Sequence, residues 1–203
     1  MNNKHIDCWM NDEVFIKQLD LSVSQLSSIN MPQHWIDFIK CTEDIMQENK
    51  IYKLLDIGCG SGIYYKLCSK YLPNIQYFGT DFSNNAINTA KNYWGVDCFS
   101  VKNFFELDVD YVTEFDLIHL GAVLDVLPNG DEALESILKL KPKNVILGRI
   151  DFTNNISYNY EYSAYDSIFV RYKHNVNNFF SIIKNHNYEA KQFNSTFHLK
   201  YLN

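Results

Sequence analysis

Apolar positions fall in short blocks along the chain, and their spacing alternates between two kinds. Residues 35–49 carry Trp35, Phe38, Ile39, Ile45 and Met46 as an approximate stripe, which predicts a helix. Residues 51–57 form a short apolar run with Tyr52, Leu54, Leu55 and Ile57, the pattern of a buried strand. Gly58, Gly60 and Gly62 end that run, and a helix is expected over 63–71 before Pro73-Asn74 turns the chain. Further strands are predicted at 75–79, weakly at 98–101 with an extension as far as Phe105, then at 115–120 and 145–150. Helices are predicted between them at 84–93, with Ser83 as N-cap, and at 130–140. This βα rhythm implies an α/β fold whose mainly parallel sheet is covered on both faces.

The two ends of the chain read differently. Residues 1–30 are mixed and suggest one or two short helices or an arm, so 1–49 is expected as a helical extension or cap on a main domain of 50–203. Residues 151–174 are rich in Tyr and Asn and show no clear period. They are expected to form a long loop with one helical turn, and a connection of that length is often functional. Residues 175–185 read as the last major helix. Strands at 188–193 and 196–201, joined near Asn194-Ser195, would add an antiparallel strand to the sheet.

Composition narrows the classes. With 203 residues, 46% hydrophobic and 21% charged, the chain has globular rather than disordered composition and fits one domain plus a small lid. Its net charge of -6 and lack of a basic block disfavour non-specific nucleic-acid binding. Cys8, Cys41, Cys59, Cys68 and Cys98 are scattered and include no CxxC pair, which argues for reduced thiols in a cytoplasmic protein and against a zinc site. No HExxH or clustered carboxylate spacing suggests another metal. The first residues lack a signal-peptide pattern, and no run of 18 apolar residues predicts a membrane span. Arginine occurs only at positions 149 and 171, so each is of interest as an anion contact.

The strongest local signal is Leu54-Leu55-Asp56-Ile57-Gly58-Cys59-Gly60-Ser61-Gly62. Glycines let a strand turn sharply into a helix and let backbone approach a ligand. By itself such a loop suits a dinucleotide, a nucleoside-containing cofactor, a phosphate or a structural turn. The Gly-Lys-Ser/Thr ending of a Walker loop is missing, and Ile63 stands where a dinucleotide fingerprint has its third glycine. Asp56 directly before the loop would repel a pyrophosphate, whereas a carboxylate favours a cationic ligand. S-adenosylmethionine carries a sulfonium and an amino group and no phosphate.

At these residues the chain resembles the class I S-adenosylmethionine-dependent methyltransferases, well over about 50–150 and elsewhere by architecture. The resemblance implies a Rossmann-like, doubly wound seven-stranded sheet with strand seven antiparallel between strands five and six. It implies S-adenosylmethionine as cofactor and S-adenosylhomocysteine as product. Gly58, Gly60 and Gly62, with Asp56 and Cys59 in the same loop, would then wrap the methionine part. Tyr77-Phe78-Gly79-Thr80-Asp81-Phe82-Ser83 resembles the second motif, whose acid, here Asp81, binds the ribose hydroxyls beside Phe82. Phe105-Glu106-Leu107-Asp108-Val109 resembles the third, with Asp108 on the adenine amino group and Val109 against the ring. Residues 115–127 resemble the fourth, in which Leu120 walls the cofactor and the following loop faces the acceptor. A finer similarity, in 121–128 and the Tyr-rich segment, is to bacterial methyltransferases of surface-polysaccharide gene clusters, and implies a small-molecule or sugar-type acceptor.

Taken singly, Asp56, Asp81 and Asp108 read as caps or solvated carboxylates. Their placement at three successive strand ends favours ligand contact, because open α/β sheets bind ligands beyond the carboxyl ends of their strands. Candidate bases are Asp125, His119, Asp151 and Tyr158, in that order; His119 also reads as a satisfied core histidine, and Asp125 departs from the His or Glu-His of many small-molecule members. Arg149, Tyr160, Tyr162 and Arg171 are candidate acceptor contacts, with the arginines suited to a phosphate or carboxylate. The competing readings are an NAD-type oxidoreductase and a cofactor-binding interaction module without catalysis.

Overall fold

The computed structural model describes residues 8–47 and 50–202. Its first helix, α1 (Asp12–Leu26), starts where the Asn11 side chain accepts from the Glu13 N–H at 3.0 Å. Helix α2 (Gln33–Ile45) follows; the predicted helix continues to 49, but Met46 is already extended and residues 48–49 lie outside the described ones. Then come β1 (Tyr52–Ile57), α3 (Ile63–Tyr71), β2 (Ile75–Asp81), α4 (Asn84–Trp94) and β3 (Phe99–Val101). Ser83 caps α4 as expected, accepting from the Ala86 N–H. The third strand does not run on to Phe105, because Phe104–Glu106 is a 3-10 turn capped by Asn103. The chain continues through α5 (Val109–Thr113), β4 (Leu117–Leu120), α6 (Gly130–Lys139) and β5 (Asn144–Leu147). After three further strands described below come α7 (Val176–Asn185) and the strands that complete the main sheet, β9 (Tyr188–Phe193) and β10 (Thr196–Tyr201).

The seven-stranded sheet runs β3-β2-β1-β4-β5-β10-β9, with β10 antiparallel to both neighbours and the β1–β5 pairs parallel. This is the doubly wound architecture and strand order the resemblance implied. The central strands β4 and β5 are buried at every position, so they read as continuous apolar runs rather than alternating ones. Alternate residues feed two cores. Leu55, Ile118 and Leu147 pack with Leu134 and Ile137 of α6 and Phe179 of α7. Leu54, Leu117 and Ile146 pack with Trp35 and Phe38 of α2 and Leu67 of α3. The strand order reverses between β1 and β4, which is where such sheets open a crevice for a ligand.

Residues 151–174 depart from the expected loop. They form β6 (Phe152–Thr153), β7 (Tyr158–Ala164) and β8 (Ser167–Asn175), a separate three-stranded sheet in the order β6-β8-β7. Tyr158, Tyr160 and Tyr162 are spaced at two residues, so they share one face opposite Lys173, Arg171 and Phe169. That period was in the sequence. The turn was not, because Tyr165 and Asp166 both take positive φ, 51° and 55°, without the Asn-Gly or Asp-Gly pair that usually announces such a hairpin.

Candidate active site

The loop after β1 turns on glycines for a steric reason. Gly58 and Gly60 have φ of 70° and 53°, and a Cβ on either would lie 2.5 Å from Val123 Cγ2 or Gln18 Oε1 respectively. The loop is tied to β2 through two backbone bonds, from the Gly58 and Cys59 N–H groups to the Thr80 carbonyl at 2.8 and 2.9 Å. Asp81 ends β2 and is held beside the loop. Its Oδ2 accepts from the Gly60 N–H at 3.0 Å and its Oδ1 from the Ser83 N–H at 2.9 Å. Burial raises the Asp81 pKa above the usual carboxylate value, and these N–H groups oppose the rise.

Above this floor is a cavity of about 500 Å³, within the range of small-ligand sites. Gly58, Gly60 and Asp81 line one side, with Phe82, Lys102, Asn103 and Phe105 at that end. Val123 packs against Gly58, and Asp125 and Arg149 continue the lining toward Tyr162, Phe169 and Arg171 of the hairpin. Helix α1 and the residues before it add Trp9, Phe15 and Gln18. Gln18 Oε1 accepts from the Ser61 N–H at 2.9 Å, so α1 is fastened to the glycine loop. Trp9 meets Phe169 in a tilted ring contact at 4.4 Å and Lys17 pairs with Asp166 at 3.0 Å, which joins the N-terminal region to the hairpin tip. A second hollow of about 630 Å³ lies at the N-terminal ends of β1 and β5, among Lys50, Asp116, Lys143 and Asn144. It holds none of the predicted site residues and sits at the wrong end of the strands for a ligand crevice.

Asp125 is 0% exposed, and its Oδ2 pairs with Arg171 Nη2. Its Oδ1 has no hydrogen-bond partner among the described residues. Burial raises its pKa, while the Arg149 and Arg171 guanidiniums pull the other way. The Arg171 pair occupies Oδ2, so any role as base is left to the unpartnered Oδ1 of a carboxyl whose pKa burial has raised. Arg171 also lies over the Tyr162 ring, 5.2 Å from its centroid. Arg149 has the left-handed φ of 61°, uncommon for a residue with a long side chain.

The structure thus gathers Gly58, Gly60, Asp81, Phe82, Asp125, Arg149, Tyr162 and Arg171 around one cavity. Other candidates lie outside its lining. Both oxygens of Asp56 face inward, Oδ2 accepting from the Tyr77 hydroxyl at 2.5 Å and Oδ1 lying 2.7 Å from His119 Nδ1. His119 is 0% exposed and packed between Phe38 and Tyr64, with ring centroids 4.5 and 4.3 Å away. It is a core histidine, distant from the role of base. Cys59 is buried behind the loop, where burial pushes its thiol well up. Gly62 starts α3, and Leu120 is core. Asp108 caps α5 by accepting from the Tyr111 N–H at 2.8 Å, with Val109 exposed beside it. Asp151 accepts from the Tyr160 hydroxyl at 3.1 Å and faces Lys173 at 3.5 Å, while Tyr158 is 44% exposed. Asn103 and Phe105 are the residues after β3 that reach the cavity, and counting from the strand end rather than seeking an acid would have found them. Trp9 and Gln18 had no local signal.

Residues 55–146 match the family model described as a methyltransferase domain. The fold is shared with solved structures of low identity. A TehB-like SAM-dependent methyltransferase from Corynebacterium glutamicum is 17% identical with a TM-score of 0.57, over 93% of this chain and 95% of that one. The amino pentose methyltransferase CalS10 from Micromonospora echinaspora, solved with SAM bound, is 10% identical with a TM-score of 0.65, over 91% and 97%. The sugar N-methyltransferase KedS8 from Streptoalloteichus is 11% identical with a TM-score of 0.58, over 91% and 93%. These likenesses carry the fold, and the family model carries the activity. The sheet has the class I methyltransferase fold, residues 55–146 form a methyltransferase domain, and S-adenosylmethionine is the cofactor of that domain. The left-handed glycines that bring backbone to the cavity wall and the buried Asp81 acceptor beside them fit that cofactor.

Proposed function

We propose that this protein methylates a nitrogen or oxygen of a small-molecule or sugar-type acceptor, with nitrogen the better fit. The observation that carries the reading is that one cavity joins the Gly58–Gly60–Asp81 wall to the Asp125–Arg149–Arg171 wall. S-adenosylmethionine supplies a methyl group on a sulfonium, already activated for in-line displacement. The protein has to place the acceptor and exclude water. The backbone of Gly58 and Gly60 would hold the methionine part, and Asp81 would accept from the ribose hydroxyls. Phe82, Lys102 and Asn103 enclose the adenine end. Tyr162, Phe169, Trp9 and the α1 helix roof the acceptor end against water.

The preference for nitrogen follows from the groups that line the cavity. Neither of its two carboxylates is free at both oxygens: Asp81 is held by backbone N–H groups, and Asp125 gives Oδ2 to Arg171. An alcohol needs a base to become nucleophilic, whereas a neutral amine attacks without one. The sugar and amino-sugar methyltransferases of the same fold support a sugar-type acceptor, as does the similarity of 121–128 to proteins of surface-polysaccharide clusters. Mass spectrometry of protein purified without added ligand tests the cofactor, since retained NAD would overturn the reading. Release of S-adenosylhomocysteine, followed across a panel of amino sugars and matched hydroxy sugars, tests the acceptor. Turnover confined to hydroxy sugars would overturn the preference for nitrogen.

A further inference from the structure

An acidic chain of net charge -6 places its only two arginines on the wall of one cavity. They face the same buried carboxylate and are not equivalent. Arg171 is taken up by Asp125 Oδ2 and by the Tyr162 ring. Arg149 makes no hydrogen bond or salt bridge with any described residue, although its charge is felt by Asp125, Tyr64, Tyr165 and His34. The His34 imidazole is pushed down to about 4, by burial first and by Arg149 second. The cavity lining carries Lys102, Arg149 and Arg171 against Asp81 and Asp125, an excess of one positive charge. The half-buried Arg149 is held there by a backbone conformation that disfavours any residue but glycine or asparagine. Strain of this kind persists where a side chain must be aimed, and is found at ligand clamps.

We infer that Arg149 anchors an anionic group, a carboxylate or a phosphate, on the methyl acceptor. This rests on the proposed acceptor reading and narrows it to acceptors that carry a negative charge apart from the atom methylated. A guanidinium offers a planar fork of donors to either group, so the chemistry is shared and the source is open to experiment. Arg171 is less suited to that role because its Nη2 is already paired with Asp125 and its guanidinium lies over the Tyr162 ring. Lys102 lies at the other end of the cavity, over the Tyr111 ring at 4.2 Å.

Two arginines give two side-chain Nε–Hε signals in a nitrogen-correlated NMR spectrum, and Arg149→Lys assigns them. The protein is first saturated with S-adenosylhomocysteine, then titrated separately with inorganic phosphate and with acetate. The Arg149 signal is expected to move saturably with at least one anion, and the Arg171 signal to move less. Arg149→Gly deletes the guanidinium while suiting the positive φ, so this variant is expected to fold with a Tm no lower than the parent. It should bind the responding anion at least tenfold more weakly and S-adenosylhomocysteine within about twofold of the parent. Arg149→Lys should bind the anion between the two. A response to phosphate alone or to acetate alone supports the inference and names the source. An Arg149 signal that moves with neither anion overturns it. So does an Arg149→Gly protein whose loss falls on S-adenosylhomocysteine, because the guanidinium would then hold the carboxylate of the cofactor. Failure of the parent to bind S-adenosylhomocysteine at all would instead overturn the proposed function.

Discussion

The two walls of the cavity are built by different means. On the cofactor side the wall is mostly backbone: two left-handed glycines, two N–H groups on the Thr80 carbonyl, and an aspartate fixed by the Gly60 and Ser83 N–H groups. Its parts lie within a span of about thirty residues, on β1 and β2 and the turns after them. On the acceptor side the wall is side chains brought from far apart. Arg171 reaches Asp125 across 46 residues, and Trp9 meets Phe169 across a larger gap still. A backbone wall needs glycines and one acid and tolerates change elsewhere. A side-chain wall loses its shape through single substitutions, which also makes it the part in which acceptor choice is free to vary. If the contrast holds, damage to one wall leaves the ligand of the other nearly unaffected.

The largest expected effect tests the acceptor wall. Arg171→Ala leaves the fully buried Asp125 carboxylate without its ion pair, a change that typically costs about 3 kcal/mol of stability. Urea denaturation of the parent, Arg171→Ala, Asp125→Ala and the double variant completes a cycle. The double variant is expected to be more stable than Arg171→Ala alone, because the unpaired charge has gone. Affinity for S-adenosylmethionine should stay within a few-fold throughout. A collapse of that affinity in folded Arg171→Ala would mean that the two walls act as one.

A smaller effect is expected from the cofactor wall. Asp81→Ala removes a charged acceptor and should weaken S-adenosylmethionine binding by about 2 kcal/mol, roughly thirtyfold, as read by calorimetry. The pH dependence sharpens the point. Burial raises the Asp81 pKa, so protonation begins at higher pH than for an ordinary aspartate. Cofactor affinity is expected to fall as pH drops through that raised value, because the protonated carboxyl is a weaker acceptor. The effect of the same group on folding has the opposite sign. The folded state binds this proton more tightly than the unfolded chain, so the contribution of Asp81 to stability is fully present below the unfolded pKa and is lost as pH rises through the folded one. An Asp81→Ala protein with the parent's affinity and pH profile would remove Asp81 from the site.

The same contrast explains what the sequence revealed. The cofactor wall was readable because glycines, a strand-end acid and the βα rhythm are local patterns, and Gly58, Gly60 and Asp81 were all named from them. Asp108 came from the resemblance of 105–109 to the third motif, whereas its side chain caps α5 and Asn103 lines the cavity. Asp56 was assigned by charge alone, although Tyr77 and His119 already occupy it from neighbouring strands. The acceptor wall was half visible. Residue types at Asp125, Arg149 and Arg171 drew notice, but the pairing that takes up Arg171 Nη2 and leaves Arg149 without a hydrogen bond or salt bridge among the described residues is a fact of packing. The hairpin was missed because its turn uses Tyr165 and Asp166 in a conformation that sequence associates with glycine and asparagine.

The smallest expected effects lie within that hairpin and ask how far the acceptor wall extends. Tyr158, Tyr160 and Tyr162 stand on one face of β7, so their chemistry is alike and only their distance from the cavity differs. Tyr162 lines the cavity and carries Arg171 over its ring. Tyr160 gives its hydroxyl to Asp151 outside the lining, and Tyr158 is 44% exposed. Tyr162→Leu keeps an apolar residue on the strand but removes the ring face. The lost cation–π contact is worth about 0.5–1 kcal/mol, which corresponds to a fall of roughly two- to fivefold in acceptor kcat/KM. Tyr158→Leu removes an exposed ring with no such partner and should stay within about 0.5 kcal/mol in stability, with kcat/KM unchanged. Tyr160→Phe loses one partly exposed hydrogen bond and should fall between them. Turnover of all three variants with the acceptor found by screening gives the order directly. An equal loss at Tyr158 and Tyr162 would extend the acceptor wall along the whole tyrosine face, and the difference in distance from the cavity would then have no functional meaning.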